Sequence, residues 1–262
     1  MKIDPSHPRA TSLAIRERLV RGVSHGLTHP AGLLAHGRGE AFDYLLGEKT
    51  HPFAERAIEK AATLLLLAKH PILVINGNTA ALSAKEFITL AGLLNCKIEV
   101  NLFHYSKKRI EVIEDYLMKK APDVVVRSKE KGKVTLTGIR SNRKTVLREG
   151  IAKADVVFVP LEDGDRTEAL IAMGKKVITI DLNPLSRTAQ QATVTIVDNI
   201  TRALPLLIIK VKEFKKIQKG KLTHRLLSFQ NTHFLSEAQK MIARTLVLRN
   251  KGLSLDRGKE RR

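Results

Sequence analysis

A single cysteine, Cys96, stands in 262 residues. An internal disulfide framework and a cysteine-rich zinc site are both excluded, and the composition fits a reducing compartment, with the cytoplasm as the expected location. Tryptophan is absent and aromatic residues make up 4% of the sequence. Proteins that read nucleic acid interleave basic residues with aromatics that stack on bases, so nucleic acid is not an expected partner. The longest apolar runs, residues 61–68 and 204–209, fall far short of the roughly 20 residues that a membrane helix needs. Residues 1–9 carry Asp4 and two prolines without an apolar stretch, unlike a secretory signal peptide. Several chemical signatures are missing too. No G-x-G-x-x-G follows an expected strand, Gly132-Lys133 lacks the upstream glycine of a phosphate loop, and no G-x-S-x-G elbow exists. With Cys96 at an expected strand start and without a partner nearby in sequence, covalent catalysis by Ser or Cys has no support.

What is present points to a folded protein with a basic surface. Hydrophobic residues form 43% of the chain, enough for a sizeable core. Lys and Arg number 46 against 26 Asp and Glu, a formal charge of +20, and nearly all the excess falls in two places: residues 105–150 carry +7 and residues 201–262 carry +12. The ordinary reading of such charge is a solvated surface and a basic tail, though the same field collects small polyanionic substrates.

The middle of the chain alternates short β-branched runs with helical stretches, the rhythm of crossover units around a parallel sheet. Strands are expected at 72–76, 97–103, 123–126, 155–160, 176–181 and 193–198, most of them too apolar to leave one face in water. Helical spacing marks 83–94, 107–120 and 166–173 as crossovers, 12–26, 39–46 and 54–69 as a helical layer ahead of the sheet, and 201–219 and 236–248 as helices after it. Residues 250–262 have little to bury and are expected to be mobile. The expectation is an α/β fold: a Rossmann-like, mostly parallel sheet (71–205), an N-terminal helical segment packed on it (1–70) and a basic C-terminal helical extension (206–262).

Ligands of open α/β sheets bind beyond the carboxyl ends of the strands. There the sequence crowds Asn76-Gly77-Asn78, residues 162–168, residues 181–188 and Asn199. His36-Gly37-Arg38-Gly39-Glu40 sets an arginine between two glycines just before the expected helix at 39–46. Backbone amides and a guanidinium there could converge on a phosphate, or the segment is a turn with Glu40 as a cap. Arg16 lies among Arg18 and Arg21 on the first helix, where an exposed basic face is the plain alternative. The carboxylates around Gly164 could hold Mg2+ through water or steer an ammonium group, with Asp165 and Glu168 also suited to a capping-box-like pair. The 181–188 loop, Asp followed by Asn, Pro and Ser-Arg-Thr, suits ribose, base and phosphate recognition, and otherwise reads as a proline turn.

Longer strings are more specific. Ala35-His-Gly-Arg-Gly-Glu-Ala-Phe-Asp-Tyr-Leu45, Val74-Ile-Asn-Gly-Asn-Thr-Ala-Ala-Leu82, Val159-Pro-Leu-Glu-Asp-Gly-Asp-Arg-Thr-Glu-Ala-Leu170, Ile178-Thr-Ile-Asp-Leu-Asn-Pro-Leu-Ser-Arg187 and Thr195-Ile-Val-Asp-Asn199 closely resemble the archaeal phosphopantothenate synthetase family. The resemblance covers residues 6–205, weakens between 115 and 150, and is not evident beyond Pro205. It implies an ATP-dependent ligase of coenzyme A biosynthesis, a homodimer using Mg2+, that joins 4-phosphopantoate to β-alanine through an acyl-adenylate and releases AMP and pyrophosphate. By position, Arg16, Arg38, Asp181, Leu182, Asn183, Ser186, Arg187, Thr188, Asn199 and Ile200 match the family's ATP-binding set. Within it, Asp181 is assigned to the ribose hydroxyls or adenine amine, and Arg38 and Arg187 to phosphates. Asn76, Asn78, Asp163, Asp165 and Arg166 are the candidates for phosphopantoate and β-alanine, a carboxylate near the amine serving as base, with Arg38, Asp163, Asp165 and Arg166 as the catalytic set. A non-catalytic nucleotide- or dinucleotide-binding regulatory module is the alternative, since strand–Asp–Leu–Asn loops occur in other doubly wound folds.

Overall fold

The computed structural model describes residues 3–129, 132–137, 139, 142–224 and 230–250. The run Pro-Ile-Leu-Val-Ile forms β1 (Pro71–Ile75) at the centre of the sheet. Its side chains divide between two cores, Leu73 and Ile75 into one, Ile72 and Val74 into the other. Successive side chains of a strand point to opposite faces, so a strand apolar at every position must be covered on both.

Parallel neighbours flank β1: β2 (Lys97–Val100), with Ile98 opposite Leu73, and β6 (Val156–Phe158), with Val157 opposite Ile72. Beyond β2 lies β3 (Val125–Val126), and beyond β6 lie β7 (Lys176–Ile180) and β8 (Val194–Ile196), all parallel. The order is β3-β2-β1-β6-β7-β8. Between β3 and β6 the chain inserts an antiparallel hairpin of β4 (Lys133–Thr135) and β5 (Thr145–Leu147). With the hairpin set aside, this is a doubly wound order whose growth reverses between β1 and β6, as the expected Rossmann-like class requires. The expected strand at 97–103 ends early at Val100, and residues 122–124 form a turn of 3-10 helix before β3. The hairpin was not foreseen because three-residue strands with exposed Lys133, Thr135 and Thr145 show no alternation long enough to read.

One face of the sheet is covered by α1 (Ala10–Ser24), α3 (Pro52–Leu67), α4 (Gly77–Leu94), α5 (Lys107–Met118), α8 (Ile200–Phe214) and α10 (Asn231–Asn250), whose Leu19, Ile58, Phe87, Ile113, Leu207 and Ala238 share one core. Phe87 of α4 tilts against Phe158 of β6 with centroids 5.7 Å apart. The other face is covered by α6 (Gly164–Ala172) through Leu170, by Val146 and Leu147 of the hairpin and by Ile151. Burying each such aliphatic or aromatic side chain contributes about 1.5–3 kcal/mol.

The helix expected at 39–46 is α2 (Pro30–Leu45), nine residues longer at its start. His29 caps it by accepting from the Ala31 amide, and Pro30 takes the first turn, where its missing N–H costs nothing. Gly37 and Gly39 therefore lie inside a helix rather than in a turn ahead of one. The 181–188 loop runs into the short α7 (Arg187–Gln191), and α9 (Lys219–His224) follows α8. Asn231, near the start of α10, accepts from the Thr195 amide (2.8 Å) and donates to the carbonyls of Ala189 (2.9 Å) and Ala192 (3.1 Å), which ties the C-terminal extension to the loop before β8. The expected mobility at 250–262 concerns a segment that, from 251 on, lies outside the described residues. Among the described residues no helix is long and apolar enough to cross a membrane.

Candidate active site

The carboxyl ends of β1, β6, β7 and β8 lie along one end of the sheet, and α2 lies across the side where β7 and β8 end. Leu182, just after β7, has its Cδ1 3.7 Å from the position a side chain at Gly39 would take, so α2 and the 181–188 loop pack closely. Arg38, exposed on α2, acts electrostatically on Asp181. Burial pushes the Asp181 carboxyl above its ordinary value, opposed by the Ser186 hydroxyl, the Asn183 amide and the Arg38 charge. Ser186 donates to Asp181 at 2.5 Å and accepts from the Ala189 amide, so it both braces the aspartate and caps α7. Asn183 braces the same loop by accepting from the Leu185 amide at 2.9 Å. Arg16 reaches across from α1 and grips Glu40, two residues after Arg38 on α2, with Nε 2.8 and 3.0 Å from its two oxygens.

Arg187 is exposed and held by Asp165 (2.7 Å) and Glu168 (2.8 Å) of α6. A Cβ on Gly164 would come within 2.6 Å of the Arg187 Cβ, so only glycine permits this approach of α6 to α7. Thr188 is buried and donates to the Glu162 carbonyl at 3.0 Å. Arg38, Asp181 and Ser186 are thus brought together at the strand ends, whereas Arg187 is tied to α6 and Arg16 to Glu40. The phosphate cradle of backbone amides expected around Gly37 and Gly39 is not there, because amides inside a helix are bonded to its own carbonyls; Arg38 contributes its side chain alone.

At the end of β8 the Asn199 side chain is fully engaged. Its Nδ2 donates to Asp43 of α2 at 2.9 Å, and its Oδ1 caps α8 through Thr201. Ile200, the first residue of α8, is buried. Arg202 joins Asp43 and Asp198 at 2.6 Å each, and Thr50 donates to Asp198 at 2.6 Å. Asp43, Asp198 and Arg202 are therefore parts of the site's frame that sequence reading missed; partners 159 residues apart leave no local signal.

The residues assigned to the acid and the amine behave differently. Asn76 caps α4 and spends its amide on the carbonyls of Pro160 (3.1 Å) and Leu161 (3.2 Å). It thereby holds Leu161 in a left-handed backbone conformation, φ +55°, uncommon for a residue with a branched side chain. Asn78 donates to the Gly32 carbonyl at 2.8 Å. Asp163, rather than the expected pair Asp165 and Glu168, caps α6 by accepting from the Arg166 amide at 3.0 Å, and its other oxygen accepts from Arg143 at 2.9 Å. Arg166 is completely buried and bonded to Glu162 (3.0 Å) and Asn101 (3.2 Å). Arg143 also pairs with Glu162. Asn76 and Asp163 thus have their bonding spent on the fold, whereas Arg166 bonds through Nη1 alone and keeps its buried Nε and Nη2 without a hydrogen-bond partner among the described residues. Of the proposed catalytic set, Arg38 and Asp165 face solvent.

Charged and amide side chains from the N-terminal helices and from two strand-end loops meet at one end of a parallel, doubly wound sheet: the arrangement is that of a nucleotide-binding α/β protein. The family described as phosphopantothenate/pantothenate synthetase matches residues 53–245. The chain is 49% identical over 237 residues to a 4-phosphopantoate–beta-alanine ligase of Thermococcus onnurineus, covering 90% of each chain. It is 48% identical to the ligase of that name from Thermococcus kodakarensis (90% of each) and 45% to that of Methanosarcina mazei (90% of this chain, 92% of the relative). The chain belongs to the phosphopantothenate synthetase family. The match runs well beyond Pro205, where the resemblance of short strings ended, because the C-terminal helices pack on the same core.

Proposed function

We propose that this chain is an ATP-dependent ligase that condenses 4-phosphopantoate with β-alanine, releasing AMP and pyrophosphate. What supports this reading is an exposed Arg38 on α2 whose charge acts on the buried Asp181 carboxyl just after β7, at the carboxyl end of the sheet where ligands of doubly wound folds bind. A carboxylate is a poor acyl donor. Its oxygen attacks the α-phosphorus of ATP, the bond to pyrophosphate breaks, and the resulting acyl-adenylate is opened by the amine of β-alanine, which loses a proton as AMP leaves.

Arg38 and Arg187 would meet the charge that gathers on pyrophosphate, with forked donors suited to phosphate oxygens. Asp181 would take the ribose hydroxyls or the adenine amine. Asp165, half exposed, is the carboxylate placed to receive the incoming ammonium group or its proton. Asp163, Arg166, Asn76 and Asn199 act as positioning residues. Mg2+ suits hard carboxylate oxygens and keeps several waters, and Asp165 and Glu168, gathered by Arg187, offer such oxygens at the rim. When bound, the ion would supply charge neutralisation for the triphosphate. A cytoplasmic homodimer is part of the proposal; the exposed Val20, Leu34 and Tyr44 on α1 and α2 support self-association.

The test follows AMP, ADP and pyrophosphate from ATP with 4-phosphopantoate, with and without β-alanine. AMP and pyrophosphate that require both substrates are expected. ADP would replace the adenylate by an acyl-phosphate route, and no turnover would leave a nucleotide-binding module.

A further inference from the structure

The hairpin of β4 and β5 packs on the same face of the sheet as α6, and residues 142–144 form a turn of 3-10 helix just before β5. That turn carries Arg143, whose side chain is only 5% exposed. Burying a guanidinium is costly unless carboxylates meet it. Arg143 is met by two, and both lie in the turn between β6 and α6: its Nη1 pairs with Glu162 and donates to Asp163 at 2.9 Å. The Phe103 ring, in the loop after β2, lies over the guanidinium with its centroid 5.7 Å away. Nothing in the local sequence around Arg143 marks this role, because its partners are 19 and 20 residues further on and belong to another element.

Both carboxylates are fixed by further bonds. Glu162 also accepts from Arg166 (3.0 Å) and from the Asp163 amide (2.9 Å), and Asp163 caps α6. The same two residues hold the loop read above as nucleotide-binding. The Glu162 carbonyl accepts from the Thr188 hydroxyl at 3.0 Å. Helix α6, which Asp163 caps, carries Asp165 and Glu168, the partners of Arg187. Arg143 is therefore joined to Thr188 through Glu162, and to Arg187 through Asp163 and the start of α6. A second contact keeps the hairpin in register with this turn: Asn101 donates to the Thr145 carbonyl at 3.2 Å and accepts from Arg166 at 3.2 Å. Removal of Arg143 would leave Glu162 with Arg166, but among the described residues it would leave Asp163 without an ion-pair partner.

We propose that Arg143 is a positioning residue of the ligase: the hairpin insertion delivers a guanidinium that fixes the Glu162–Asp163 turn and, through that turn, sets Thr188 and Arg187 for ATP. The proposal rests on the ligase reading above. It is tested by the kinetics of Arg143→Ala and Arg143→Lys at a temperature where circular dichroism shows each variant folded. Arg143→Ala is expected to raise KM for ATP about 10-fold, with KM for β-alanine within about twofold, and Arg143→Lys to recover part of the loss. Asp163→Asn keeps an oxygen able to cap α6 and removes the charge facing Arg143, so it takes the place of Arg143→Ala if that variant does not fold. Equal rises in both KM values, or none, overturn the proposal. Combination with Thr188→Val separates positioning from a general loosening of the fold. If Arg143 acts through Glu162 and Thr188, the double variant should lose well under the product of the two single losses in kcat/KM for ATP, and losses that multiply overturn it. Should the wild type form no AMP, calorimetric titration with ATP replaces KM: affinity lost in Arg143→Ala and partly restored in Arg143→Lys upholds the role without the ligase reading, and equal affinities or no binding reject it.

Discussion

Asp43 on α2 accepts a 2.9 Å hydrogen bond from the side-chain amide of Asn199, 156 residues further along the chain. Both are buried, and Arg202 completes the contact at 2.6 Å from the same carboxylate. The N-terminal helices are thereby latched to the turn after β8, and the rim that carries Arg38 is held against the rim that carries Asp181.

Breaking this latch should cost both stability and nucleotide affinity. Asp43→Ala leaves the buried Asn199 amide without its acceptor and Arg202 with Asp198 alone, for which about 1–3 kcal/mol is expected. Urea unfolding should show the midpoint fall with an unchanged slope. Where the variant remains folded, KM for ATP should rise more than kcat falls. A variant as stable as the wild type would remove Asp43 from the frame.

Arg38 should behave in the opposite way. It is exposed, so Arg38→Ala is expected to leave stability within about 0.5 kcal/mol. AMP formation should drop about 10²- to 10³-fold if the guanidinium meets charge that develops on pyrophosphate. Thermal unfolding beside a turnover assay checks both halves; normal rates in the folded variant contradict the role.

Arg166 separates a positioning role from a contact with substrate. It is fully buried against Glu162 and Asn101. Arg166→Ala should destabilise by about 1–3 kcal/mol, since Asn101 and Glu162 each lose a buried hydrogen bond while Arg143 still neutralises Glu162. A loss of activity without loss of stability would instead place Arg166 at the ligand.

Glu99 should make stability depend on pH. Burial pushes its carboxyl up to about 7 from the ordinary 4.5, opposed by the Ile151 and Leu147 amides and by Arg166. Between those values the folded chain keeps a proton that the unfolded chain has released. This contribution therefore falls as pH rises from about 4.5 to about 7 and is flat beyond, by about 3 kcal/mol in all. Glu99→Gln cannot ionise and should lose that slope. Urea unfolding at pH 5 and pH 8 measures it: the wild type should lose more stability across the interval than the variant, and equal losses would refute the assignment.

Much of this was legible in the chain itself. The β-branched runs at 71–75, 156–158 and 176–180 have to be buried on two faces, and that demand selects a parallel sheet covered by helices. The polar loops at 162–168 and 181–188 fall at strand ends because Asp, Asn, Gly and Pro cannot continue a central strand. Helix limits were less legible at α2, where the glycines at 37 and 39 read as a break. His29 and Pro30 open the helix earlier, and the glycines are carried inside it.

What only the tertiary structure decided is which polar groups are spent on the fold and which stay free for a ligand. Asn76, Asp163 and Asn199 look as chemically able as Arg38 in one dimension, yet their hydrogen bonds go to Pro160, Arg143 and Asp43. The physical reason is one of range. Propensity and hydrophobic period act over a few residues and are written locally, whereas the satisfaction of a buried polar group depends on partners that lie up to 159 residues away and that only the folded chain brings within hydrogen-bond distance.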